Sequence, residues 1–409
     1  MLLRKNYFTK IVKYMKNVYN IEESLSRLTD RRKNPTYKTH RAILPVLLGF
    51  ILRVRSFNEL NNMIKEKEFN KVLPRGTRLP QIDAIRDALK VIDLSSLRVI
   101  LKEIIHKARE NKVFDRGTID SLVVAAVDGT QTFNSDKKQC GNCLKASKKG
   151  KIEQRNFHSS VVLSTIGEGV KLVIDFEQYK PGMDNVLKDE GELTAAKRLI
   201  KRVSMEHRKL IDVVVYDAIA CNSEWLNACI EANIDAVIRV KGNNVKSIKE
   251  IKRQVNKSDP VAVWTGIKDY KSITIYEGNF YMNNVEKELR FIKFQMKKPD
   301  KSRTQVMIIT TCLEMELTTL YKIIRARQDI ENSIFHNLKT ECGLEHCFVH
   351  GGNAIEAVLC LIYIASNFVQ LFYHRRIKRS LKTQVELIRQ FIKGLYSLKR
   401  SPECIIDTG

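Results

Sequence analysis

Five small or apolar residues, Val123–Val127, run directly into an aspartate, Asp128, and a second run, Val213–Tyr216, ends the same way in Asp217. Short β-branched runs of this kind are strands buried on both faces, found where helices cover a sheet. Each run brings one carboxylate to the end of a buried strand. A carboxylate withdrawn from water is costly unless a cation or a donor compensates it. Two readings follow. Either aspartate caps the turn that comes next, or the two converge on a hard divalent cation such as Mg²⁺.

The neighbouring pattern places these strands in a mixed sheet. "SLVVAAVD", "HSSVVLSTI" and "KLVIDFEQY" read as three consecutive strands. The amphipathic "GELTAAKRLIKRVSMEH" follows, then strand "DVVVYDAIA", helix "SEWLNACIEAN" and strand "DAVIRVKG". The order β-β-β-α-β-α-β predicts an α/β domain with helices on the faces of its sheet. Upstream of Gly117, apolar residues recur every three or four positions among many lysines and arginines, predicting an all-helical N-terminal region. Its loop "LPRGTRLP", with Arg75 and Arg78, is either a connector or a turn that touches phosphate. Alternating, lysine-rich segments after Asn243 predict a β-rich insertion. "VMIITTC" then returns to core strand, and Glu316–Lys339 reads as one long helix. The expected division is 1–117 a helical, DNA-binding region whose basic helices would recognise the DNA partner, 118–242 the first part of the catalytic α/β domain, 243–305 a β-rich insertion, 306–375 the second part of the catalytic domain, and 376–409 a basic C-terminal helix and tail.

Charge narrows the partner. Lys and Arg number 71 against 46 Asp and Glu, a net +25 over 409 residues, which favours a polyanion such as nucleic acid. The cations are spread along the chain, whereas a membrane-surface protein concentrates them beside an apolar anchor. Two apolar runs, Ala42–Leu52 and Ala357–Phe372, read as core helices: the first is short and contains Pro45, and the second is broken by Ser366, Asn367 and Gln370. Nine unevenly spaced cysteines and a lysine-studded N-terminus point to the reducing cytoplasm.

In "RARQDIENSIFHNLK", Arg327 and Glu331 are four apart, about 40° round a helix, and share a face. Taken alone, the pair is a surface ion pair worth a few tenths of a kcal/mol. Together with Asp128, Asp217 and the β-rich insertion, it resembles the DDE transposases of bacterial insertion sequences over roughly 119–374. That resemblance implies a ribonuclease H-like fold and an Asp-Asp-Glu triad, Asp128, Asp217 and Glu331, holding two Mg²⁺ ions, with Mn²⁺ as a substitute. It also implies cleavage of the element's DNA ends and their transfer to target DNA, by a dimer when two ends are synapsed. Arg327 corresponds to the arginine of the family's Tyr-Arg-Glu-Lys signature, and Arg325 adjoins it as a further DNA contact. The tyrosine position is occupied by Ile324, with Tyr321 one turn earlier, and the lysine position by Leu338, with Lys339 one residue on. On an α-helix that offset puts Lys339 about 80° round from Glu331. Trp264, in the insertion, either packs in the core or, as in related transposases, stacks on a flipped base. Two other readings of the same residues are a transposase-derived DNA-binding protein without activity and a Mg²⁺-dependent nuclease.

A second cluster is independent of the triad. "CGNC" supplies Cys140 and Cys143, and "CGLEHCFVH" supplies His346 and His350, with Cys347 as an alternative to His346. The spacings suit one structural Zn²⁺ if the fold joins the two segments. Otherwise they are unrelated thiols and imidazoles.

Overall fold

The computed structural model describes residues 6–74, 76–147, 154–182, 189–241, 245–377, 381, 383–398 and 406; Arg75 of the arginine-bearing loop lies outside them. The chain begins with helices α1 (Tyr7–Tyr19), α2 (Ile21–Ser26), α3 (Thr39–Ile51), α4 (Phe57–Lys65), α5 (Lys67–Asn70), α6 (Ile82–Val91) and α7 (Leu94–Glu110). Their starts are written locally. Asp93 accepts the N–H groups of Ser95 and Ser96 at the head of α7, and Ser56 accepts that of Glu59 at the head of α4, satisfying donors that a helix leaves unpaired. Helix α3 continues through Pro45, and twelve of its residues are buried.

The sheet follows. Strands β1 (Val124–Ser135), β2 (Leu144–Ser147), β3 (Gln154–Thr165) and β4 (Val173–Gln178) lead into α8 (Glu192–Glu206), β5 (Val213–Tyr216), α9 (Ser223–Glu231) and β6 (Asp235–Val240). The remaining elements are α10 (Lys246–Val255), β7 (Ala262–Thr265), β8 (Ser272–Phe280), β9 (Leu289–Lys297), β10 (Arg303–Thr310), α11 (Leu317–Ala326), α12 (His336–Thr340), α13 (Ala354–Phe372) and α14 (Gln384–Tyr396). Among the described residues these strands form one sheet in the order β2-β3-β1-β5-β6-β10-β9-β8-β7, with β4 paired to β3. The centre, β1-β5-β6, is parallel, and antiparallel pairs extend it on both sides. This mixed sheet flanked by helices is the ribonuclease H-like architecture the resemblance implied.

Three local expectations change. Asp128 does not end its strand, because β1 runs on to Ser135 and stays paired with β3. What ends there is the pairing of β1 with β5, which covers only Val124–Ala126. The segment after Asn243 contains a helix, α10, as well as strands. Its strands also continue the central sheet: β9 pairs with β10 along eight residues, from Arg303↔Lys297 to Thr310↔Arg290.

Helix α13 is the central pillar of the helical layer. It packs against α3, α6, α7 and β4, and its Asn367 side chain bonds both the N–H and C=O of Val173 on β4, at 2.9 and 2.8 Å. By length and composition it could cross a membrane, but 89% of its most apolar window is buried inside the protein. It is used here as a core helix, as expected for Ala357–Phe372.

Candidate active site

The register of the parallel strands sets the first two carboxylates. Ala126 pairs with Val215, so Asp128 and Asp217, each two residues further on, lie at the same level of neighbouring chains. The pairing of the two strands ends just before this level. Asp217 caps the turn Ala218–Ala220, its Oδ1 accepting the Ile219 N–H at 2.9 Å. Asp128 Oδ1 accepts the N–H of Gly129 at 2.9 Å.

Glu331 comes from the helix after α11, in a π-helical segment, Ile330–Phe335, that packs against β1. Arg327 joins the carboxylates. Its Nη2 donates to Glu331 Oε1 at 2.8 Å, and its Nη1 lies 4.0 Å from Asp128 Oδ2. Arg327 is 6% exposed, and Nη1 is buried without a hydrogen-bond partner among the described residues. An arginine this deeply buried needs anionic company.

A fourth carboxylate escaped the sequence reading. Glu192, the first residue of α8, accepts a hydrogen bond from the Tyr216 hydroxyl at 2.7 Å and also bonds Tyr179. Gly129 is required beside it, because a Cβ there would overlap the Glu192 carboxylate and the Tyr179 hydroxyl. Burial pushes the Asp128 carboxyl up to about 7, Arg327 pulls the other way, and the charges of Glu192 and Glu331 add to the rise. A group of oxygen donors under that strain fits a hard divalent cation, which would relieve the repulsion. The only sequence signal for Glu192 was its place at the start of an amphipathic helix.

The π-helical segment alters the position of Lys339. A π-turn advances about 82° per residue in place of about 100°. Four such steps from Glu331 to Phe335 and four α steps to Lys339 total about 728°, leaving the lysine within about 10° of Glu331's face. The extra residue in this chain's Glu-to-Lys spacing is thus absorbed by the π-turn. Lys339 pairs with Glu345 at 2.8 Å.

Beside the carboxylates, Arg239, Tyr270, Tyr321, Ile324, Arg325 and Arg327 line a cleft of about 180 Å³. Trp264 is half-buried and meets Tyr321 edge-on at 5.8 Å and Phe294 at 6.1 Å. Tyr321 lines the cleft, and Trp264 packs behind it. Ile324, at the signature tyrosine position, is buried.

The structure brings Cys140, Cys143 and His350 together and leaves His346 out. The fourth member of the group is His158, on β3. The histidines of His-x-x-x-His share a face only on a helix, and Glu341–Asn353 has no helical run. His346 instead packs its ring edge-on against Phe348, 4.7 Å away. A Cys-x-x-Cys followed by a histidine at the head of the next long strand was the available signal for His158.

A ribonuclease H-like sheet with carboxylates gathered at its central strands is the scaffold of enzymes that act on nucleic-acid phosphates. Residues 179–368 match the family model described as the transposase DDE domain, which supports a DDE transposase of insertion sequences. The match includes Asp217, Arg327, Glu331 and Lys339 and begins after Asp128. No curated protein matches the chain.

Proposed function

We propose that this transposase binds the terminal inverted repeats of its own element, cleaves there and transfers the ends to target DNA, using Asp128, Asp217 and Glu331 as the ligands of two Mg²⁺ ions. The observation that carries the reading is Arg327, whose guanidinium pairs with Glu331 and faces Asp128, while strand register sets Asp217 level with Asp128 on the neighbouring chain. Mg²⁺ bound there supplies activation of a water or 3′-hydroxyl and charge neutralisation at the leaving oxygen. Arg327 shares its guanidinium between Asp128 and Glu331 and carries a spare donor, Nη1, for a phosphate oxygen. Arg325 adds positive charge to the cleft that Tyr321 lines, and Lys339 and Trp264 are further candidates for contact with DNA. Glu192, which accepts from the Tyr216 hydroxyl, adds a further negative charge beside Asp128 for a cation to offset. Binding of duplex DNA draws on the excess of 25 positive charges and falls steeply with salt. The active species at paired ends is a homodimer, and the protein works in the bacterial cytoplasm on the nucleoid.

The test offers labelled duplexes carrying the inverted repeats that flank the coding sequence, with Mg²⁺ or Mn²⁺. Asp128→Asn, Asp217→Asn and Glu331→Gln should each lower cleavage and strand transfer by about 10³-fold or more while end binding stays within about threefold. Strand transfer at the unaltered rate in any of the three removes that residue from the site.

A further inference from the structure

The four ligand atoms of Cys140, Cys143, His158 and His350 lie within 4.8 Å of one another. Cys140 Sγ is 3.7 Å from Cys143 Sγ and 3.5 Å from His158 Nε2. Cys143 Sγ is 3.3 Å from His158 Nε2 and 3.4 Å from His350 Nε2. A tetrahedral zinc with Zn–S of about 2.3 Å and Zn–N of about 2.05 Å has S···S edges of about 3.8 Å and S···N edges of about 3.6 Å. The observed edges are those of such a tetrahedron to within about 0.3 Å. Sulfurs joined in a disulfide would be about 2 Å apart.

We infer that Cys140, Cys143, His158 and His350 form a structural Zn²⁺ site that fastens the β1–β3 pair to the segment following Glu331. The surroundings are built for it. Cys140 and Cys143 form a turn closed by the Cys143 N–H donating to the Cys140 C=O at 3.1 Å, and the Cys140 N–H points at Cys143 Sγ, 3.3 Å away. An N–H directed at sulfur stabilises the thiolate that zinc requires. Phe133 backs both imidazoles, 4.9 Å from His350 and 6.0 Å from His158. His158 is 3% exposed.

The position of the site gives it a purpose. His158 is paired across from Phe133, on the same two strands in which Asp128 faces Val162. His350 comes from the turn region between α12 and α13, downstream of Glu331. The clamp therefore joins the strand bearing Asp128 to the chain that leaves Glu331, closing a loop of 207 residues between Cys143 and His350. Closing so long a loop removes much freedom from the open chain. The metal has no open position for substrate and takes no part in phosphoryl transfer, so the inference stands or falls apart from the triad's role.

The full chain, purified without chelator, should contain about one zinc per chain by elemental analysis. Replacement by Co²⁺ should give the thiolate-to-cobalt charge-transfer band and the intense visible bands of a tetrahedral site. His158→Ala and Cys143→Ser should lower bound zinc at least tenfold, whereas His346→Ala and Cys347→Ser should retain it. Should the first two fail to fold, alkylation of the unaltered protein decides: Cys140 and Cys143 should be protected until a chelator is added. Zinc well below one per chain, no cobalt–thiolate band, a Cys140–Cys143 disulfide in the native protein, or zinc lost from His346→Ala and kept in His158→Ala would each overturn the site.

Discussion

Arg327 and Glu331 form a buried-to-exposed ion pair one helical turn apart, with Nη2 to Oε1 at 2.8 Å, Arg327 side chain 8% exposed and Glu331 51%. The arginine's other nitrogen faces Asp128 at 4.0 Å. One guanidinium thus spans a strand carboxylate and a helix carboxylate, and its removal leaves them facing each other.

Arg327→Ala should lower the melting temperature in chelator by roughly 2–6 °C, from lost pairing of partly buried charge. Mg²⁺ should raise the variant's melting temperature more than the unaltered protein's, because the ion takes over the arginine's neutralising role. Strand transfer should fall about 10²-fold. Equal Mg²⁺ shifts in a thermal melt of both proteins would refute the bridging role.

Deletion of the exposed Asn332 converts the π-turn to an α-turn and leaves Lys339 seven residues after Glu331. Because the π-turn already brings Lys339 to Glu331's face, the deletion should change strand transfer less than about tenfold and leave the melting temperature unchanged or higher. Insertion of an alanine at the same place should rotate Lys339 away and depress both. Comparable losses from deletion and insertion would count against the compensating turn.

Gly129→Ala forces a Cβ into the Glu192 carboxylate and the Tyr179 hydroxyl, groups already held by hydrogen bonds. The overpacking should cost about 1–3 kcal/mol and displace Asp128, whose Oδ1 bonds the Gly129 N–H. Calorimetry and a strand-transfer assay should show both losses. Normal stability would mean that Glu192 moves aside freely.

Burial holds His207 down at about 3, and the neighbouring charges of His106, Lys102, Arg109 and Arg202 add to the effect. The unfolded chain, titrating near 6.5, binds more protons in between. Stability from this group is therefore full above about 6.5 and is lost as pH falls toward 3, by a few kcal/mol at most. His207→Phe should lose less stability than the unaltered protein between pH 7 and 4 in urea titrations. Parallel pH curves would remove His207 as a source of acid sensitivity.

Truncation at Gly117 is a poor test of DNA recognition. Helix α13 packs against α3, α6 and α7, so the shortened chain would expose the largely apolar face it buries there. End selection is better mapped by charge substitutions in the intact protein, such as Lys339→Ala, with the salt slope of binding as readout.

The sequence by itself determined the strands and two of the aspartates that follow them, because a strand buried on both faces must be written in small and β-branched residues. It also determined the shared face of Arg327 and Glu331, since four residues on a helix fix that geometry. It pointed to α13 as a core helix, since Ser366, Asn367 and Gln370 interrupt its apolar run, and the burial of that run inside the protein agrees. Tertiary structure alone decided that β1 continues past Asp128 while β5 stops, since pairing with β3 sustains the strand after its parallel neighbour has ended. It alone brought Glu192 beside Asp128 and turned the irregular signature spacing into a π-turn. It also chose His158 over His346, because the residues around His346 are not helical and His158, on β3 paired beside β1, points at the two sulfurs. Local periodicity encodes which face a residue occupies. Which distant residue shares that face depends on register and chain path, fixed only when the whole sheet closes its hydrogen bonds.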